Sequence, residues 1–429
     1  MTDPASERGI SRREFAKAAV AIGGASAFAA CTDREQAPDI PTGPDDLSSF
    51  PTRQHAWNDA LATDEHGNDV PPRHHVLVFL NLRNGGTPDG DGREQVEAAL
   101  RNLERTYQRD PEGLLFTVGY SPAYFDRFDA DLPDSVGLQQ PRALTELEDP
   151  ELDQQDAVVH LASDYAQVVI GAEEALVGNR EELNGVEITE NVSGVLEKAD
   201  RRTGFIGDGL PAENQDVAGI PDSEPVPEDS PLYMGFESGF EKNQASEDRV
   251  SIAEGPFAGG TTQQLSKIRL QLQQWYEQDS REHRVASMFC PAHAEEGRVE
   301  GTGENLGNES GVGECAEDVI EDASESGVVG HAQKTARARD ENDSPIMLRR
   351  DFDSTDDGVA GLHFLSLQRS IADFVETRRQ MTGDDIAEDT AVGTTTNNGI
   401  KRYMTVTRRG NFLLPPRSQR ALPTPRPDA

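Results

Sequence analysis

Apolar residues first recur with a regular period near His74. His75–Leu82 (HVLVFLNL) is a run of β-branched, aliphatic and aromatic residues of strand length. From Gly92 to Gln108 the apolar positions Val96, Ala99, Leu100 and Leu103 fall three and four apart, which predicts a helix. Gly113–Tyr120 (GLLFTVGY) and Asp156–Leu161 (DAVVHL) read as strands, Asp164–Leu183 as a helix and Gly185–Val195 as a last strand. The order β-α-β-β-α-β is that of a ferredoxin-like unit.

The same order recurs further on, which predicts a duplicated α+β architecture. Leu232–Gly239 is strand-like, and Gly260–Gln278 reads as a strand end followed by a helix. Gly361–Gln368 is a strand, Ser370–Met381 a helix and Gly410–Pro416 a final strand. Two acidic, Gly-rich stretches, Glu296–Asp340 and Gly383–Asn398, are expected as loops. Thr32–Arg73 has no sustained period and much Pro, Asp and Gly, so it reads as a flexible tether. The expected division is a leader at 1–31, the tether at 32–73, an N-terminal domain at 74–225, a C-terminal domain at 226–416 and a disordered tail at 417–429.

Charge narrows the partners. The 429 residues carry 78 Asp and Glu against 40 Lys and Arg, a formal charge of −38. Such a surface suits solubility at high salt, where screening removes self-repulsion. It excludes nucleic acid as a partner, because phosphate contacts need a basic face.

Residues 9–31 have the form of an export leader. Ser11-Arg12-Arg13-Glu14-Phe15-Ala16-Lys17 resembles the twin-arginine consensus, and the run Ala18–Ala30 is too short and too rich in Gly and Ala for a membrane span. Phe28-Ala29-Ala30-Cys31 resembles a lipobox with Phe in the usual Leu position, so Cys31 is a candidate for lipidation. The expected location is extracellular or anchored at the cell surface, with membrane contact only through the leader or that lipid. Cys290 and Cys315 are left to form a disulfide, or to bind a metal with His293, although closed zinc sites need a fourth ligand.

The most informative stretch is Gly330–Met381. His331 lies in a polar segment, the apolar run Ile346–Leu348 ends in Arg349 and Arg350, and GLHFLSLQ leads into SIADFVETRRQM. From the residues alone, an imidazole and a strand-end guanidinium could hold a metal and an anion, or could be a solvated loop His and a surface Arg.

The order of these pieces resembles the C-terminal half of the dye-decolorizing (DyP-type) haem peroxidases: a His, a loop, an Ile-Leu-Arg strand end (here with Met347 inserted), then a Gly-Leu-x-Phe strand entering a helix. Gly119–Arg127, with its G-x-S-x-x-x-F-D-R pattern, is similar to that family's first half. The resemblance spans roughly residues 74–416. It implies an α+β fold of two ferredoxin-like halves packed as a dimeric α+β barrel, with haem b as cofactor. It also implies His331 as axial ligand of the haem iron and Arg349 as the distal cation. The proton carrier would be the Asp of a G-x-x-D-G motif, but Gly204-Phe205-Ile206-Gly207-Asp208-Gly209 is one residue too long. Either Asp208 reaches the iron through an inserted loop or Gly207 takes its place. Ile400–Arg409 holds no acid where relatives place one to orient the axial His.

The implied function is a peroxidase that reduces hydrogen peroxide and oxidises a small-molecule electron donor outside the cytoplasm, with a homo-oligomer possible. The alternative is a non-catalytic haem-binding or haem-handling lipoprotein with a degenerate distal site. A third reading is a surface domain whose pocket is filled by side chains. Trp275, Tyr276 and Trp57 are candidate radical relays under the first reading and core residues otherwise. His160 and His363, within apolar runs, read as satisfied core residues.

Overall fold

The computed structural model describes residues 39–427. The leader and Cys31 lie outside the described residues.

In the N-terminal half, strand β1 (His74–Leu82) is followed by helix α1 (Gly90–Thr106), β2 (Leu115–Tyr120), β3 (Ala157–Ser163), α2 (Ala166–Leu176) and β4 (Leu196–Phe205). Asp89 caps α1 by accepting from the Gly92 amide, and Val96, Ala99, Leu100 and Leu103 form its buried stripe. The strands run antiparallel in the order β4-β1-β3-β2.

The C-terminal half repeats the plan. It contains β5 (Thr261–Leu270), α3 (Arg281–Met288), α4 (Pro291–Glu295), α5 (His331–Thr335), β6 (Leu348–Arg349), β7 (Phe352–Ser354), β8 (Gly361–Gln368), α6 (Ile371–Thr382) and β9 (Met404–Leu414). Here β8 lies between β5 and the short strands β6 and β7, and β5 also pairs with β9. Single contacts, Asp353 with Phe205 and Leu413 with Tyr120, join the halves, so the ten-stranded sheet closes on itself. The expected α+β barrel of two ferredoxin-like halves is therefore the observed architecture.

Closure explains the unbroken apolar run of β1. Val76, Val78 and Leu80 face α1 and α2, while Leu77 and Phe79 point into the barrel against Leu265, Phe352, Leu365 and Phe412. A strand buried on both faces has no polar side to show.

Several expected boundaries are corrected. The tether is not free from residue 39 onward: Gln54 bonds the carbonyls of Val118 and Pro415, and Trp57 is buried under the Arg350 guanidinium. Nor is 417–427 a loose tail, because Arg417 and Arg420 both pair with Glu104 and Leu422 is fully buried. Sparse anchors of this kind leave no period to read. The two domains are halves of one sheet rather than separate bodies.

The strand expected at 185–195 is instead a small hairpin, Glu182–Leu183 with Val186–Glu187, turned by Asn184 and Gly185 at positive φ. The real strand, β4, follows it and is polar because it pairs with β7 only at Phe205. Leu232–Gly239 runs as turns, with Gly235 and Gly239 at positive φ. Short helices, α5 among them, replace part of the loop expected at 296–340.

Candidate functional site

The outer face of the N-terminal half-sheet is sealed by α1 and α2. On the C-terminal half the corresponding space is open, a cavity of about 840 Å³. Ile268 and Leu270 of β5, Leu362 and Phe364 of β8, and Met404 and Val406 of β9 form its floor. Phe374, Thr377 and Met381 of α6, with Phe236, Phe240 and Phe289, line the rest. The walls are mostly apolar, as in sites that bind small molecules or cofactors.

His331, the first residue of α5, lines this cavity. Two glycines admit it. A Cβ on Gly330 would lie 1.7 Å from the Phe289 carbonyl oxygen, and one on Gly399 would lie 3.1 Å from the His331 backbone. The imidazole has no hydrogen-bond partner among the described residues. Burial, then the charges of Lys334, Arg349 and Arg378, push its pKa down to about 3, so the ring is neutral and free to act as a ligand. Its accessible surface faces the cavity, which accounts for a ring that is open to a ligand yet shielded from bulk water.

Among the described residues no acid is bonded to His331, and the charges that act on it are those of Lys334, Arg349 and Arg378. The buried group one turn along is Lys334, whose Nζ donates to the carbonyls of Met381 (2.8 Å) and Asn398 (3.1 Å) and to Asn398 Oδ1. Three acceptors match the three N–H bonds of an ammonium. Burial and the neighbouring cations Lys401 and Arg378 hold its pKa well below the usual lysine value.

Arg349 ends β6 and lines the same cavity. Its backbone is fixed on both sides by Gln244, whose Oε1 accepts from the Arg349 amide (3.0 Å) and whose Nε2 donates to the Arg349 carbonyl (3.3 Å). Its guanidinium has no protein partner among the described residues. The other cations at the cavity are engaged. Arg378 and Arg409 share Glu148, and although burial opposes it they hold that carboxyl at about 2. Arg402 is bidentate to Asp279, and Lys401 donates to the Thr382 carbonyl.

Asp208 does not line this cavity, although its charge reaches Glu237, which does. Asp208 is exposed, its carbonyl accepts from Arg73 (3.3 Å), and neither it nor Gly207 lines the cavity. The inserted residue lets the chain turn outward, with Gly207 at φ +110 and Gly209 at φ +83. Gly204 of the same motif serves packing, since a Cβ there would lie 2.2 Å from the Asp353 carbonyl oxygen.

The acids that do line the cavity include Asp351, Asp353 and Glu237. Asp351 and Asp353 are two apart in an extended segment and so point the same way. Asp353 is fully buried, and burial followed by the charge of Asp351 raises its pKa well above the carboxylate range. Burial thus favours its protonated form, and the Tyr233 amide donates to its Oδ2. Glu237, half-buried at the same cavity, is pushed up to about 7 by burial and then by the charge of Asp208. Sequence reasoning missed both; the alternation in Arg349-Arg350-Asp351-Phe352-Asp353 was the available signal.

The remaining candidates lie elsewhere. Trp275 is buried with its Nε1 on the Met234 carbonyl, Tyr276 donates to the Tyr233 carbonyl, and Trp57 stacks near His160, all as core residues. His160 bonds His75 (2.9 Å) and His363 bonds Asp356 through Nε2 (3.1 Å), while the buried Nδ1 of His363 has no partner among the described residues. Cys290 and Cys315 form a disulfide.

This arrangement is the fold of the DyP-type peroxidases. The dye-decolorizing protein from V. cholerae superposes with a TM-score of 0.55 at 13% identity, covering 85% of this chain and 99% of its own. The encapsulated DyP-type peroxidase from Mycobacterium smegmatis gives 0.55 at 14% identity, covering 86% and 100%. A DypB variant from Rhodococcus jostii RHA1, solved in complex with haem, gives 0.53 at 14% identity, covering 87% and 99%. By sequence, the chain belongs to a family of unknown function, DUF7405, whose model matches residues 72–416. No curated protein matches it in sequence.

Proposed function

We propose that the protein binds haem b in the cavity under α5 and α6 and uses it to reduce hydrogen peroxide at the expense of a small-molecule electron donor. The observation that carries this reading is that His331 and Arg349, both without side-chain partners among the described residues, line one mostly apolar cavity of about 840 Å³. That donor set fits the group: neutral imidazole is a common protein ligand for haem iron, and the cavity walls suit a large flat apolar ring.

When bound, haem supplies the redox chemistry, a two-electron reduction of peroxide whose electrons the donor restores. His331 holds the group in place. Arg349 stabilises negative charge as the O–O bond breaks, and its free guanidinium costs no competing ion pair. Asp353, whose protonated form is favoured by burial and which lines the same cavity, would carry the proton from one peroxide oxygen to the other. With no acid hydrogen-bonded to His331 among the described residues, nothing makes the ring more electron-rich, so it would be a comparatively weak donor.

The leader and the acidic surface support a place outside the cytoplasm, reached by the twin-arginine route in a high-salt medium. Among the described residues no helix is long and apolar enough to cross a membrane. The second reading, a haem-binding lipoprotein without activity, draws on the exposed position of Asp208.

The test is peroxide turnover by the haem-loaded protein with a phenolic donor. Arg349→Leu should keep haem and lose at least about tenfold in the rate with peroxide. Absence of turnover in the parent, with haem bound, would leave the non-catalytic reading in its place.

A further inference from the structure

One cluster plays no part in the proposed chemistry. Cys290 caps α4, His293 lies three residues on, and Cys315 comes from the short helix Gly313–Ala316. Their donor atoms all lie within 4.8 Å of one another, and all three residues are buried. His293 Nδ1 is 3.0 Å from Cys290 Sγ and 3.9 Å from Cys315 Sγ.

The tautomer of His293 is fixed from behind. Its Nε2 lies 2.7 Å from the Ser310 carbonyl, which can only accept, so Nε2 carries the proton and the Nδ1 lone pair faces the two sulfurs. The Phe289 ring stacks on the imidazole at 5.8 Å with 3° between planes and holds its orientation. An imidazole whose far nitrogen donates to a backbone carbonyl is the arrangement typical of metal ligands. A disulfide alone has no use for it.

We propose that Cys290, His293 and Cys315 form a redox-gated site for a soft monovalent cation, Cu(I). In the oxidised chain the sulfurs are joined to each other. A thiol or phosphine reductant delivers two electrons to the S–S bond, and the two sulfurs take up two protons. Cu(I) then displaces those protons and binds two thiolates and Nδ1. Softness favours thiolate, and with three ligands in reach the set falls short of the four of a closed zinc site. Disulfide and metal exclude each other. Phe289, Ser310 and Val312, which surround the cluster, also line the large cavity, and Gln333 of α5 donates to the Cys315 carbonyl (2.7 Å). The redox state of the cluster thus bears on the wall that carries His331, while the site itself does not depend on haem.

The experiment uses the full chain, reduced anaerobically with a phosphine that is then removed, and offered Cu(I) as its complex with a coloured chelator. The reduced protein should withdraw one Cu(I) per chain and the untreated disulfide form none. X-ray absorption should show two sulfur neighbours and one nitrogen. His293→Gln, which retains a donor for Ser310 and both cysteines, should bind at least about tenfold more weakly. The proposal is overturned if the reduced protein withdraws no copper, if the disulfide form withdraws as much, if His293→Gln binds as tightly, or if Zn(II) displaces the bound Cu(I).

Discussion

The amide of Tyr233 donates to Oδ2 of Asp353, the one described hydrogen bond to a carboxyl that is fully buried at the cavity wall. One amide offsets only part of the cost of burying a carboxylate, and the nearby charge of Asp351 adds to that cost, so the group stays neutral. Asp353 and Arg349 line the same cavity, so an acid whose protonated form is favoured and a guanidinium without a protein partner among the described residues are available to one bound molecule.

Asp353→Asn in the haem-loaded protein should slow the reaction with peroxide by roughly 10²–10⁴, the usual worth of a general acid. Asp208→Asn should leave that rate unchanged. Stopped-flow absorbance of both variants checks this, and the reverse pattern would return the acid to the Asp208 loop.

The C-terminal segment belongs to the fold through Glu104, a buried carboxylate of α1 that holds Arg417 and Arg420. Removing one partner of a buried ion pair costs roughly 3–5 kcal/mol. Arg420→Ala should fall toward the lower end, because Arg417 still reaches Glu104. A urea unfolding midpoint equal to that of the parent would mean that this segment does not contribute.

Much of this was legible from residues alone, and the exceptions have physical causes. The duplicated order of elements followed from long apolar runs, whereas the pairing of His331 with Arg349 came from the resemblance to the DyP-type family, since the residues alone left a loop His and a surface Arg open. Asp208 is exposed rather than in the cavity lining because a motif records only which residues are adjacent in sequence, whereas the backbone around it, with Gly207 and Gly209 at positive φ, decides where it lies. Asp353 was overlooked because its role comes from burial, which only the crossing of β7 and β4 at Phe205 creates. The segments 39–73 and 417–427 read as loose because their anchors, such as Trp57 and Leu422, are single residues among polar ones. The last strand of the first half was expected at 185–195 rather than at β4 because Glu197, Lys198, Asp200 and Arg201 interrupt the apolar run of β4.

Acid should destabilise the protein from about pH 6.5 downward. Burial lowers His55 and His75 to about 3 and His74 to about 4, and takes His160 well below its ordinary value. Below 6.5 the unfolded chain binds protons at these positions that the folded chain does not, so stability falls as pH falls, toward the folded values near 3. Each fully buried histidine contributes up to about 1.4 kcal/mol per pH unit. Glu237, raised to about 7, acts in the opposite sense between pH 4.5 and 7, as does Asp353, raised well above its ordinary value by burial, but His331, also lowered to about 3, adds to the histidines on the other side. Thermal midpoints measured at pH 7 and pH 5, at fixed salt, check the sign.

The central claim is that the cavity holds haem through His331. The direct measurement is a titration of the purified full chain with haem b, followed by the Soret band, beside His331→Ala. The account predicts saturation at one haem per chain for the parent, and for the variant a lost or strongly shifted band with circular dichroism unchanged. A parent that takes up no haem, or a variant with the same affinity and the same Soret band, would contradict it.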